Sequence, residues 1–385
     1  MSPSEISFDD ILLVMVVAVA VPLLLGLLPR VPIPSSVLEI AAGILIGPAV
    51  LDWVSDNSVI NVFAKLGVAL LLFLAGLELD FVRLRGRPLR LALVSFVFSL
   101  AVGLALALPL GALGVVVDPL FVAIILSSTS LGIVVPVLKD AGALDTRAGV
   151  YLVAACSVAE FGSIVVLSMF FSPKGSVDPA VTIVKLAVLG IVVAAIAYFA
   201  SRHGAWRTRV DEVLFRLQDS SAQLRVRVAM LLMIALLVVS ESLKFDAILG
   251  SFLAGALLAA VTDPARENEL GHVRHKLEGM GFGFFVPIFF VATGLSFPVD
   301  QLFSDWSTAV RVPLILQATS LSFIVVAAQI GVAVHALRPI NGASFVAAGM
   351  LSVLIFPALA LRLLQRDSGG GAPEVDPDER AVEGM

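Results

Sequence analysis

The sequence predicts an all-α polytopic membrane protein, and three observations carry that prediction. Of 385 residues, 59% are hydrophobic and only 14% are charged, with a mean hydropathy of +1.04. That leaves too little polar surface for a water-facing domain of this size. Apolar runs of about 20 residues, enough to cross a bilayer core of about 30 Å, follow one another with short polar breaks. Lys and Arg gather in alternate breaks, as they do when successive loops lie on opposite sides of a membrane.

Twelve segments are expected, near 9–28, 35–52, 59–79, 88–111, 119–139, 148–172, 179–201, 222–241, 246–262, 279–297, 309–337 and 340–364. Residues 1–366 then form a single membrane domain. The N-terminal stretch carries Glu5, Asp9 and Asp10 and no basic residue. The first apolar run is therefore expected to stay as a helix rather than act as a cleaved signal. The longest break, near 202–227, spaces arginines among apolar residues and holds Trp206, the pattern of an interfacial linker between the two halves. Residues 367–385 are rich in Gly, Pro and acids and are expected to form a disordered acidic tail. Six acids and two arginines in 366–385 supply −4 of the net charge of −5, so the acidity implies nothing about nucleic acid.

With the N-terminus outside, the inner breaks hold sixteen Lys and Arg, from Arg30 to Lys276, and the outer breaks up to residue 306 hold Lys174 and Lys244. This asymmetry orients the first ten segments. The single cysteine, Cys156, permits no disulfide within the chain and no thiolate metal site.

Segment 119–139 has an unusual centre. Ser127, Ser128, Thr129 and Ser130 follow one another in "ILSSTSLGIV", and Gly132 and Pro136 come just after. The letters I-L-x-x-T-S-L return at Ile315, in "ILQATSLSFIV". Ser and Thr are common in membrane helices, where they bond to the preceding turn. Here, however, each copy is followed by one further long segment. Internal repeats with a broken, hydroxyl-rich helix mark secondary transporters, in which unwound backbone exposes carbonyls to an ion at the membrane midplane.

Segment 148–172 reads "YLVAACSVAEFGSIVVLSMFF" over 151–171, with Glu160 near its centre and no Lys or Arg one turn away. An ionisable group at that depth costs about 2.5–3.5 kcal/mol on insertion scales. A carboxyl kept protonated as part of the packing is the plainer reading. The reading preferred is a carrier. Burial favours the protonated group and a bound cation favours the carboxylate, so proton and cation compete for one site. Ser157 lies three residues earlier on the same helix face and could add an oxygen. One carboxylate suits one cation for one proton, without net charge movement.

Other polar residues carry weaker expectations. Glu39 and Glu78 lie near helix ends and are read as structural. Lys65 is expected to snorkel outward. Gln329 and His335 are read as packing or hydrogen-bond partners. The phenylalanines of 281–295 are read as packing, with a kink at Pro287.

Five stretches, "VLEIAAGILIGP" (37–48), "LGVALLLFLAGLELD" (66–80), "SSTSLGIVVPVLKDAG" (127–142), "FDAILGSFLAGALL" (245–258) and "FFVPIFFVATGL" (284–295), carry a resemblance in order along the chain. The sequence resembles the monovalent cation:proton antiporter-2 family, a Kef-like membrane domain of the sodium/proton exchanger superfamily. The resemblance implies inverted repeats, a homodimer in the inner or plasma membrane, and two broken helices crossing beside the ion site. It places these helices near Thr129 and Ser130 and near Thr319 and Ser320. Glu160, Ser157, Thr129 and backbone near Ser130 and Leu131 would then hold Na+ or K+ in exchange for H+. No cofactor is implied, and the sequence shows no Gly-rich nucleotide-binding fingerprint.

Two departures from the family pattern stand out. Many members carry two adjacent acids where this chain has Ala159-Glu160, and the missing first acid fits electroneutral exchange. Strict alternation of twelve segments also runs both Thr-Ser segments inward, whereas inverted repeats require opposite directions. The expectation is therefore a chain one helix short of its family near 298–316. Two other readings stay open: a gated K+ efflux pathway, and a transport-inactive relative. No His-Glu metal motif or recognisable nucleophile points to an enzyme.

Overall fold

The computed structural model of the chain describes residues 9–27, 35–54, 57–79, 86–129, 146–171, 179–202, 223–261, 267–297 and 321–352, with Val134 and Leu138. The expected interfacial linker beyond Arg202, the acidic tail and the stretch 298–320 lie outside these residues. Every regular element among the described residues is a helix: α1 (Asp9–Leu27), α2 (Ser35–Ile46), α3 (Ser58–Leu77), α4 (Arg87–Ala112), α5 (Pro119–Ser127), α6 (Arg147–Phe170), α7 (Pro179–Arg202), α8 (Leu224–Ser242), α9 (Ala247–Val261), α10 (Glu267–Met280), α11 (Val286–Leu295) and α12 (Leu321–Ala333), then α13 over 339–352. Among them α1, α3, α4, α6 and the α10–α11 rod over Gly271–Leu295 are long and apolar enough to cross a membrane.

Local chemistry starts these helices. Asp118 accepts bonds from the N–H groups of Leu120 and Phe121 at 2.9 and 3.1 Å ahead of α5, with Pro119 at the first turn. Thr146 caps α6 through Gly149 at 3.0 Å, and Asn57 caps α3 through Val59 and Ile60. Each side-chain oxygen satisfies amides that the first helical turn leaves unpaired. Between α10 and α11 the chain forms one π turn, Gly281–Phe285, and Pro287 follows at the start of α11. Proline removes one helical N–H and crowds the carbonyl four residues back. The expected kink at Pro287 is thus a π turn, which absorbs that mismatch without breaking the rod.

The helices gather in two groups. α1, α2, α3, α8, α9, α10 and α11 pack together, α4, α5 and α6 form a second group, α12 packs against α5, and α7 touches both α6 and α9. In the first group the backbones nearly touch. A Cβ at Gly294 would overlap the carbonyl oxygen of Ile40 and come within 2.8 Å of the Cα of Gly43, so only glycine fits where α2 and α11 cross.

Specific contacts give the helices their directions. Asp10, at the start of α1, accepts from Asn57 Nδ2 at 2.6 Å at the start of α3, so these two helices begin on one face. At the other face Glu78 follows α3 and meets Arg274 of α10 at 2.8 Å. Further along, Gly281 approaches Leu70 and Leu74, and Gly67 approaches Phe289, so α3 and the α10–α11 rod are antiparallel. Gly47 abuts Leu295, which puts the end of α11 on the Asp10 face.

The second half of the chain corrects a sequence expectation. Asn341, in the first turn of α13, donates to the carbonyl of Val115 at 2.8 Å, in the α4–α5 connection. α5 and α13 therefore start side by side. α12 runs antiparallel to α13: Gly342 lies against Val332, and Gly349 against Ile324 and Leu321. Gly331 of α12 meets the ring of Phe121 near the start of α5. α12 thus ends where α5 begins, and the two run in opposite directions. The parallel arrangement from strict alternation does not hold, and the inverted arrangement does. Alternation fails because α11 and α12 both end on the Asp10 face, a relation that long-range contacts impose and that no span-by-span count contains.

Candidate functional site

The first hydroxyl-rich centre is a true helix end. α5 stops at Ser127, and Ser128 is extended, with φ −75° and ψ 148°. The Ser127 hydroxyl donates to the carbonyl of Ile124 at 3.0 Å and that of Ser128 to the carbonyl of Ile125 at 2.7 Å. These bonds occupy carbonyls that backbone amides would use to continue the helix. The negative end of the α5 dipole is thereby left inside the bundle, an environment that favours a cation. Thr129 follows this end and is half-buried. Ser130, Leu131, Thr319 and Ser320 lie outside the described residues, so the crossing with the second broken centre does too. α12 begins at Leu321, immediately after Ser320.

Glu160 lies mid-way along α6 and is 8% exposed. It interacts with neighbouring groups, Cys156 one turn earlier among them. Ser157 is 1% exposed, and its hydroxyl donates to the carbonyl of Val153 at 2.8 Å. That bond uses the proton and leaves the oxygen lone pairs able to accept a cation.

α5 packs against α6, and the edge-to-face pair Phe121–Phe171, 4.8 Å between centroids, marks a shared level near the Asp10 face. At 1.5 Å per helical residue, Ser127 lies about 9 Å below this mark on α5 and Glu160 about 16 Å below it on α6. Extended Ser128 and Thr129 add about 3 Å each. Both centres therefore fall within one turn of each other in depth.

Around the site an aromatic and a polar contact join the two groups of helices among the described residues. Phe161, next to Glu160, stacks on Phe252 of α9 at 5.6 Å. Gln329 of α12 donates to the Thr293 hydroxyl of α11 at 3.2 Å, while Thr293 donates to Phe289. Gln329 is thus the hydrogen-bond partner its sequence position suggested. His335 instead stands exposed in the α12–α13 turn, with φ +62°. Lys65 is exposed on α3, and Val286–Leu295 are all buried as packing residues, whereas Phe282 in the π turn is 55% exposed.

Two polar residues gain weight from the structure. Glu39, fifth in α2, is 4% exposed. Ser163 is 0% exposed, and its hydroxyl has no hydrogen-bond partner among the described residues. Leaving such a group unsatisfied costs about 1–3 kcal/mol. Its spacing, three residues after Glu160 as Ser157 is three before, was the available signal in the sequence.

Among the described residues no group of three or more His, Cys, Asp or Glu could hold a metal ion. The site's donors are one carboxylate and hydroxyl and carbonyl oxygens, a hard set suited to alkali cations and protons.

Comparison with known proteins identifies the family and the fold. YjbQ of Bacillus subtilis is 30% identical over 335 residues, 83% of this chain and 52% of its own length. The Na+/H+-K+ antiporter GerN of Bacillus cereus is 27% identical over 281 residues, 70% of this chain and 67% of its own. The chain thus spans about half of the first relative and two thirds of the second. The solved structure of the sodium proton antiporter MjNhaP1 from Methanocaldococcus jannaschii superimposes with a TM-score of 0.61 at 14% identity, over 94% of this chain and 99% of that one. The profile described as "Sodium/hydrogen exchanger, transmembrane" matches residues 15–374, and the chain belongs to that family of integral membrane cation/proton antiporters.

Proposed function

We propose that this chain exchanges a monovalent cation, Na+ or K+, for H+, without net charge movement, with Glu160 as the group that carries either ion in turn. The observation that supports this most is a buried carboxylate on α6 level with the broken end of α5. In the cation-bound state Glu160 is ionised, and Ser157, Thr129 and backbone oxygens near Ser130 and Leu131 complete the shell. In the proton-bound state the carboxyl is neutral and the cation has left. Because both states are neutral at this one group, either can turn across the membrane, and the empty ionised site cannot do so cheaply.

Alternating access fits two helix groups that meet through the Phe161–Phe252 stack and the Gln329–Thr293 bond. The first group would stay fixed, as half of a homodimer, and the α5–α6 group would move against it. The face bearing Arg87, Arg147 and Arg274 would be cytoplasmic, with the N-terminus outside in the inner or plasma membrane.

The test is cation-driven proton flux in sealed vesicles, with Na+ and K+ in turn. Glu160→Gln, which cannot ionise, is expected to abolish exchange with both. Undiminished exchange in that variant overturns the proposal. Current reversing at the K+ potential without proton flux would instead identify a gated K+ pathway.

A further inference from the structure

We propose that Ser163 is a further ligand of the transported cation, an oxygen between the Glu160 carboxylate and the broken end of α5. The inference rests on the reading of Glu160 as the carrier.

Six buried hydroxyls elsewhere in the described helices are satisfied locally. Ser127, Ser128, Ser157, Ser251, Thr293 and Ser344 each donate to a carbonyl three or four residues earlier. Ser163 stands in the same kind of helix, with the same option open, and does not take it. Its side chain is fully buried and its Oγ has no hydrogen-bond partner among the described residues. A buried polar group left unpaired is costly in the protein interior. An alkali cation bound beside Ser163 would supply that partner.

The position matches. Three residues turn an α-helix by about 300°, so Ser163 and Ser157 flank Glu160 at about 60° on either side. From the Phe121–Phe171 pair, Ser163 lies about 12 Å down α6. Ser128 lies at about that depth on α5, after about 9 Å of helix and one extended residue. Gly162, the preceding residue, faces the Phe96 ring of α4 at 2.7 Å from its virtual Cβ. Ser163, about 100° further round α6, falls between Glu160 and Ala159, which packs with Ala92 and Phe96 of α4. Carboxylate, hydroxyl and the negative end of α5 then lie at neighbouring depths, a set of oxygens suited to an alkali cation.

The experiment uses the full chain in proteoliposomes and, separately, its cation-dependent thermal stabilisation in detergent. Ser163→Ala is expected to raise the apparent KM for Na+ or K+ at least fivefold, with a smaller fall in kcat, and to lose most of the cation-dependent rise in Tm. Its Tm without cation should equal or exceed that of the wild type, since an unpaired buried hydroxyl is removed. Ser163→Thr, which keeps the oxygen, should recover the KM. An apparent KM and a cation-dependent Tm shift both equal to wild type in Ser163→Ala overturn the proposal. Exchange persisting in Glu160→Gln overturns the carrier reading instead, so the two failures are distinct. The Tm readout also decides on Ser163 if flux is undetectable.

Discussion

Asn341 donates from Nδ2 to the backbone carbonyl of Val115 at 2.8 Å, across 226 residues of sequence. This bond joins the start of α13 to the connection between α4 and α5, and so turns α12 against α5. A topology follows that can be read from outside the molecule. Leu113 and His335 are exposed near this junction. Leu113→Cys and His335→Cys should react with a membrane-impermeant maleimide from one side, and Arg147→Cys from the other. The native Cys156 is buried and gives little background. Labelling of positions 113 and 335 from opposite sides would refute the inverted arrangement.

The same bond contributes to stability. Asn341 is 1% exposed, and its Oδ1 has no partner among the described residues. Asn341→Ala removes the donor and leaves the Val115 carbonyl to find another. A loss of about 1–3 kcal/mol is expected, read as a lower midpoint in chemical denaturation of the protein in detergent.

Gly43 and Gly294 let α2 and α11 touch backbone to backbone. The obstructing atoms are carbonyls and Cα atoms, which cannot rotate away. Gly294→Ala should therefore cost about 1–3 kcal/mol or more by overpacking. Gly190→Ala is the control, since nothing lies within 4 Å of its Cβ. Equal melting temperatures for the two variants would contradict the close crossing.

Asn57 caps α3 and also bonds Asp10. Asn57→Ala removes both interactions, with an expected cost of about 0.5–2 kcal/mol for the cap. Asp10→Ala keeps the cap and should cost less. A thermal melt that ranks Asp10→Ala as the more damaging variant would show that the cross-helix bond, not the cap, dominates.

Phe161 and Phe252 bridge the two helix groups beside Glu160. If one group moves against the other during transport, a covalent tether between them must stop exchange. Phe161→Cys and Phe252→Cys, combined and linked by a short bis-maleimide, should lose proton flux. Either single variant treated alike should keep it. Unimpaired flux in the linked protein would mean that this contact does not move.

Much of this arrangement is legible in the sequence because its signals are local. Apolar run length marks α1, α3, α4 and α6 within a few residues. The run of hydroxyls at 127–130 marks the end of α5, since serine hydroxyls compete for the carbonyls beside them. Glu160 is conspicuous as an acid in the middle of an apolar run, with no Lys or Arg one turn away in the sequence. Ser163 was equally visible as a letter but not as a site. Only the packed structure shows that its hydroxyl, unlike that of Ser157, takes no carbonyl of its own helix.

The sequence by itself determined that the chain lives in a membrane, where its longest helices fall and that one carboxylate sits in the middle of an apolar helix. These follow from hydrophobic transfer and helix hydrogen bonding, both set by near neighbours in the chain. Tertiary structure alone decided that α12 opposes α5, that α2 and α11 meet through glycine, and that Gln329 reaches Thr293. Those relations join groups 36 residues apart for Gln329 and Thr293 and more than 200 residues apart for the others. A local pattern is compatible with either helix direction, and only the long-range bonds and close packing distinguish them.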